Sequence, residues 1–128
     1  MIVSVGMCTP CRSLLAALAA LSLLPAAALA DRPPTKRERA GLSDKVGVPG
    51  RCLAIRVSTV NPRWAKTRIR LARKSCRRWA ADGIAVFKRR KGGGWRFVTA
   101  GSAFDCPVPK VPPRVVEDLH IRCYDIEP

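Results

Sequence analysis

The sequence predicts an α+β domain: a small four-stranded antiparallel sheet with a short C-terminal helix, stapled by disulfides. Three observations carry this. Segments after residue 50 alternate apolar and polar residues about turn signals, which is the period-2 pattern of half-buried strands. Pro112-Pro113 followed by Val115, Val116 and Leu119 sets apolar residues at helical spacing. Cys52, Cys76, Cys106 and Cys123 supply an even set of bridging groups to a domain whose core alone is small.

The chain has 128 residues, 48% of them hydrophobic, and 24 Lys+Arg against 9 Asp+Glu, for a formal charge of +15. That length allows one domain, and the apolar share excludes a wholly disordered basic tail. Much of that share is concentrated at the start. Arg12, the leucine/alanine run from Leu14 to Leu24, the helix-breaking Pro25 and the small residues Ala28-Leu29-Ala30 read as a signal peptide over residues 1–30, cleaved after Ala30. A membrane anchor is disfavoured, because the apolar run over 14–30 is 17 residues, at the short limit for spanning, and no basic stop cluster precedes the small residues. Cys8-Thr9-Pro10-Cys11 has the C-x-x-C spacing of thiol oxidoreductases and zinc knuckles, but it lies in the leader and is assigned no function. The protein is therefore expected to be secreted, extracellular or associated with the cell envelope. Removing residues 1–30, whose only charged side chain is Arg12, leaves 98 residues and a charge of +14.

Residues 31–50 carry proline, glycine and charge without apolar periodicity, and read as a flexible basic linker before a single domain over 51–128. The first strand has Leu53, Ile55, Val57 and Thr59 alternating with Ala54, Arg56 and Ser58. Asn61-Pro62-Arg63 gives a turn, and a second strand sets Ala65, Thr67, Ile69 and Leu71 against Lys66, Arg68 and Arg70. Residues 73–83 read as a connection with one helical turn around Arg77-Arg78-Trp79-Ala80. Ile84-Ala85-Val86-Phe87 starts a third strand, Lys88 to Gly94 form a basic glycine-rich loop, and Trp95-Arg96-Phe97-Val98-Thr99 returns, with Trp95 and Phe97 on one side. Glu117 and Asp118 are expected near the start of the C-terminal helix, where the helix dipole favours them.

Four cysteines allow three pairings. Cys52–Cys76 and Cys106–Cys123 are favoured because each closes a local loop, and each would stabilise by roughly 3 kcal/mol through loss of unfolded-state entropy. A zinc site is disfavoured, since none of the four is paired at the two-to-four-residue spacing of zinc modules, and no cofactor or metal is expected.

Three classes of function are open. The first is anion binding. Arg56, Lys66, Arg68 and Arg70 are expected on one face of the first hairpin, and Lys88, Arg89, Arg90 and Lys91 crown the second. Guanidinium forks suit phosphate and carboxylate, so teichoic-type polymers, acidic lipids, acidic polysaccharide and nucleic acid all qualify. Trp64, Trp79 and Trp95 are candidate stacking platforms, although tryptophans at strand starts are more often core anchors. Arg outnumbers Lys 17 to 7, a bias that a GC-rich genome produces without selection for binding, and sequence-specific nucleic-acid binding is not expected. The second class is an enzyme, such as a small basic nuclease. His120 is the single histidine and Glu117 lies one helical turn before it, but such pairs are usually surface pairs, and no recognisable catalytic motif is present. No catalytic residue is assigned. The third class is an exported protein-binding or inhibitor module that presents the Trp64 and Trp95 loops rigidly. A monomeric binding domain for anionic cell-envelope or extracellular material is the expectation.

Ser58-Thr59-Val60-Asn61-Pro62-Arg63-Trp64-Ala65, then Gly94-Trp95-Arg96-Phe97-Val98-Thr99-Ala100-Gly101-Ser102, then Cys106-Pro107 with Val111-Pro112, Val115, Asp118-Leu119 and Cys123, form a recurring set. The chain resembles small exported proteins of high-GC Gram-positive bacteria that carry an S-x-V-x-P-x-W-A turn, a G-x-W strand and a C-P…V-P…V…D-L…C tail. The likeness covers roughly residues 52–123. It implies export, a compact fold and the Cys106–Cys123 bridge, and it transfers no catalytic residue.

Overall fold

The structure, a computed structural model, describes residues 31–124. The leader assigned to residues 1–30, with Cys8 and Cys11, lies outside them. The alternating segments form four strands, β1 (Leu53–Val57), β2 (Trp64–Ile69), β3 (Ile84–Arg89) and β4 (Trp95–Gly101). They pair antiparallel in chain order as one open sheet. The register sets Leu53 opposite Ile69, Ala65 opposite Phe87 and Phe87 opposite Phe97. The alternation thereby collects Leu53, Ile55, Val57, Ala65, Ile69, Phe87 and Trp95 into one buried face. In β4 one extra residue intervenes, since Val86 pairs with Thr99 but Phe87 with Phe97, so Val98 is bulged.

The opposite face of the sheet is covered by the C-terminal segment. Trp64, Ile84 and Val86 pack there against Phe104, Val108, Val111, Val115, Val116, Leu119 and Ile121. Pro113 opens a six-residue helix (Pro113–Asp118), where its missing N–H leaves no bond unmade. The Cys106–Cys123 disulfide closes this segment, and Cys52–Cys76 ties the start of β1 to a 3-10 turn over Lys74–Trp79. Both pairings are the local ones favoured from the sequence. Glu117 and Asp118 end the C-terminal helix rather than start it, because the helix is only six residues long.

Residues 31–50, expected to be a flexible linker, are folded. They contain a helix over Lys36–Val46, called α1; the short helix at Pro113–Asp118 is α2. Thr35 accepts from the Glu38 N–H at 3.1 Å, and the Glu38 carboxylate accepts from the Thr35 N–H at 2.9 Å, which is a complete capping box. Gly47 ends the helix in the left-handed region at φ 74° and donates to Ser43 O. Only Glu38 and Leu42 of α1 are buried, so the apolar periodicity that marks a helix in sequence is nearly absent. Leu42 joins the first core face, and the helix approaches β4 so closely that a Cβ on Gly41 would lie 3.1 Å from Trp95 Cδ1. Ahead of α1, Arg32 exchanges two 2.8 Å backbone hydrogen bonds with Val57 and covers that end of the β1 edge. Residues 31–50 are therefore part of the folded unit.

The β1–β2 connection is held from a distance. Asp118 is buried at the end of α2, and one of its oxygens accepts from Ser58 Oγ at 2.7 Å and Thr59 N–H at 2.8 Å. The other accepts from Thr59 Oγ1 at 3.1 Å. Burial works against the charge on Asp118, but these donors outweigh it and hold its pKa below the usual carboxylate value. The turn motif around Ser58 and the D-L of the tail are thus two halves of one contact.

Candidate anion-binding site

The eight basic residues singled out in the sequence do not form one surface. Arg56 and Lys66 are cross-strand partners on the face away from α1, and Asp31 sits against them. Arg56 Nε donates to Asp31 Oδ1 at 2.8 Å and Arg56 Nη2 to the Asp31 carbonyl at 2.6 Å, while Lys66 Nζ lies 3.9 Å from Asp31 Oδ2. Burial lowers the Lys66 pKa; the Asp31 charge opposes that shift, and Arg68 and Arg56 reinforce it. Arg68 borders a separate depression of about 460 Å³ with Asp82 and Arg122. Arg70 follows the end of β2, donates to the Leu53 carbonyl at 3.2 Å and borders a third depression with Arg39, Arg51 and Arg73. The expected four-residue basic face of the first hairpin is therefore split in three, because β2 ends at Ile69 and because Asp31 neutralises its centre.

The second hairpin behaves differently. Lys88, Arg89 and Arg90 come together with Arg63 and Arg96 around a depression of about 180 Å³. Its position follows from the register, which sets Trp64 opposite Lys88 and Lys88 opposite Arg96, bringing three strand ends together. Arg63 is fixed there. Its Nε and Nη2 donate to the Arg89 carbonyl at 3.2 and 3.0 Å, and the Arg89 N–H donates to the Arg63 carbonyl at 2.7 Å. A guanidinium has five N–H donors, so three remain free of this contact. Lys88 Nζ lies 5.4 Å from the centre of the Trp64 ring, and the Arg89 guanidinium 6.0 Å from that of Trp95, within range of attraction to the ring faces. None of the five cations forms an ion pair among the described residues. Lys91 falls outside this depression and borders a neighbouring one of about 580 Å³ with Arg37, Glu38 and Arg89.

Arg63 and Arg96 were not among the basic residues singled out from the sequence as anion contacts. The signal was present in the pairing: a strand starting at Trp64 against one ending near Lys88 places Arg63 beside Arg89. Trp64 and Trp95 are buried, at 2% and 7% exposure. They anchor the two cores, one on each face of the sheet, and expose no ring face on which a base or sugar stacks. Trp79 is half-buried beneath Arg78.

Glu117 and His120, the pair considered for acid/base work, are both exposed and are joined through the backbone, His120 N–H to Glu117 O at 3.1 Å. Among the described residues no group of three or more His, Cys, Asp or Glu side chains is arranged to hold a metal ion. No protein-family model matches the chain, and no curated protein or solved structure is significantly similar to it.

Proposed function

We propose that this chain is an exported binding domain whose ligand is anionic cell-envelope or extracellular material. The observation that carries the reading is the separation of charge. The carboxylates of Asp31, Glu38 and Asp118 are turned to internal partners, at 2.8 Å from Arg56, 2.8 Å from Arg32 and 2.7 Å from Ser58 respectively. Among the described residues, the five cations around the second hairpin have no carboxylate partner. Like charges held together destabilise the free protein and favour an approaching polyanion. Two disulfides suit an oxidising compartment, and among the described residues no helix is long and apolar enough to cross a membrane.

The test is binding of the mature protein, residues 31–128, to soluble polyanions across a salt series. Inorganic polyphosphate and polygalacturonate are suitable probes, with intrinsic tryptophan fluorescence as the readout. Counterion release makes such binding steeply salt-dependent, by about a hundredfold between roughly 50 and 200 mM if five charges are neutralised on a single strand. Absence of binding at low salt to both polymers and to phosphatidylglycerol vesicles would overturn the reading.

A further inference from the structure

Resting on that reading, we infer that the depression between Arg63, Lys88, Arg89, Arg90 and Arg96 is a phosphate site, and that the polymer this domain contacts is phosphorylated. The donors arrive from three segments: the residue before β2, the end of β3 with its turn, and β4. A carboxylate offers two oxygens in one plane, whereas a phosphate offers acceptors in tetrahedral directions and so meets donors from several sides at once. Four of the five cations are arginines, whose rigid forks match phosphate oxygens and are weakly hydrated.

The dimensions narrow the ligand further. At about 180 Å³ the depression is smaller than the ~300–1,000 Å³ of sites that enclose a whole small molecule. It therefore takes one charged group of a longer chain. Buried Trp64 and Trp95 provide no stacking surface, so recognition rests on phosphate and not on nucleobases. The adjoining hairpin tip, Lys91-Gly92-Gly93-Gly94, is fully polar and exposed and carries no apolar wedge to enter a bilayer. Those features favour a soluble or wall-bound phosphate polymer over a lipid surface.

Arg63 supplies the geometry, because its guanidinium is already held by the Arg89 carbonyl and loses little freedom on binding. The cation–π contact of Lys88 with Trp64 restrains a second cation, whereas that of Arg89 with Trp95 holds its guanidinium on the other face of the sheet, toward α1, so Arg89 serves the site mainly through the carbonyl that fixes Arg63.

The experiment compares inorganic polyphosphate, polygalacturonate of matched charge, and phosphatidylglycerol vesicles, using the mature protein and three variants. R90Q/R96Q removes two cations whose side chains make no hydrogen bond among the described residues. R63K keeps the charge and removes the fork. K74Q/R114Q removes two exposed cations elsewhere. Polyphosphate is expected to bind about tenfold more tightly than polygalacturonate, and R90Q/R96Q to weaken it by about tenfold or more, in line with the loss of charge-assisted hydrogen bonds. R63K is expected to weaken polyphosphate severalfold, and K74Q/R114Q by less than about twofold. Near-ultraviolet circular dichroism confirms that each variant keeps its core. Equal affinity for the two polymers would overturn the phosphate assignment. An equal loss in K74Q/R114Q would overturn the site, and binding confined to vesicles would overturn the soluble polymer. In all three cases the broader polyanion reading survives; it fails only if neither polymer nor vesicle binds.

Discussion

Replacing Asp118 by asparagine tests how the two halves of the chain are joined. The carboxylate accepts from Ser58 Oγ, Thr59 N–H and Thr59 Oγ1 at 2.7, 2.8 and 3.1 Å, and the Val60 N–H lies 3.5 Å away. Asparagine keeps the shape but offers one acceptor oxygen, and its NH₂ then faces donors. Hydrogen bonds to a charged acceptor contribute roughly 1.5–3 kcal/mol each. With one oxygen still able to serve part of the set, the expected loss is about 3 kcal/mol. The acid limb provides a second readout. Asp118 titrates below its unfolded value, so its contribution is complete above the ordinary carboxylate range and disappears as pH falls through its lowered native pKa. Urea unfolding at neutral pH should show a midpoint lowered by about 1.5–3 M for a slope of 1–2 kcal/mol/M. At a pH below the native pKa of Asp118 the gap between wild type and D118N should shrink. A loss under about 0.5 kcal/mol at neutral pH, within the range of an ordinary surface change, would refute the claim that this carboxylate holds the turn.

Gly83 has φ 83° and a Cβ there would lie 2.1 Å from the Gly101 carbonyl oxygen, so G83A should cost at least about 3 kcal/mol in thermal or urea unfolding; a neutral G83A would place this β3–β4 contact elsewhere. Removing the Cys106–Cys123 bridge as C106S/C123S opens a loop with a sequence separation of 17 and should lower stability by about 3 kcal/mol, with the urea slope rising as the unfolded chain expands. R90Q/R96Q should raise the melting temperature by up to about 5 °C at low ionic strength, an advantage that fades toward ~1 M salt as screening removes the repulsion; a lower melting temperature at low salt would show that the cations are not mutually strained.

The legible part of this fold was the part where side-chain periodicity and covalent chemistry speak directly. Period-2 alternation marked Leu53, Ile55 and Val57, and all three are buried. The local spacing of the cysteines favoured the bridges that form. Pro112-Pro113 with Val115, Val116 and Leu119 marked α2, and those three residues are buried. What escaped was α1, because it lays little more than Leu42 on the sheet and is held by polar contacts. The capping box Thr35-Lys36-Arg37-Glu38 was its sequence signal, together with Gly47 as terminator. The site was half legible for a related reason. A run such as Lys88-Arg89-Arg90 is visible in one dimension, but its union with Arg63 and Arg96 depends on strand register, which composition does not contain. Ser58 shows the opposite failure: alternation placed it on the polar side of a strand, while the strand ends at Val57 and the hydroxyl is drawn inward by Asp118.

The two hairpins carry similar basic residues in sequence, and only the fold separates them. Asp31 lies 25 positions before Arg56, yet the backbone pairing of Arg32 with Val57 places its carboxylate between Arg56 and Lys66. An external anion there would have to displace an internal one already held at 2.8 Å. At the second hairpin the internal acceptor that Arg63 engages is a carbonyl, Arg89 O, and it neutralises no charge. The difference is one of competition. Removing Asp31, as D31N, would therefore free a second basic surface without disturbing the first-choice site. Polyanion stoichiometry, not affinity at the Arg63 site, is the quantity that should change.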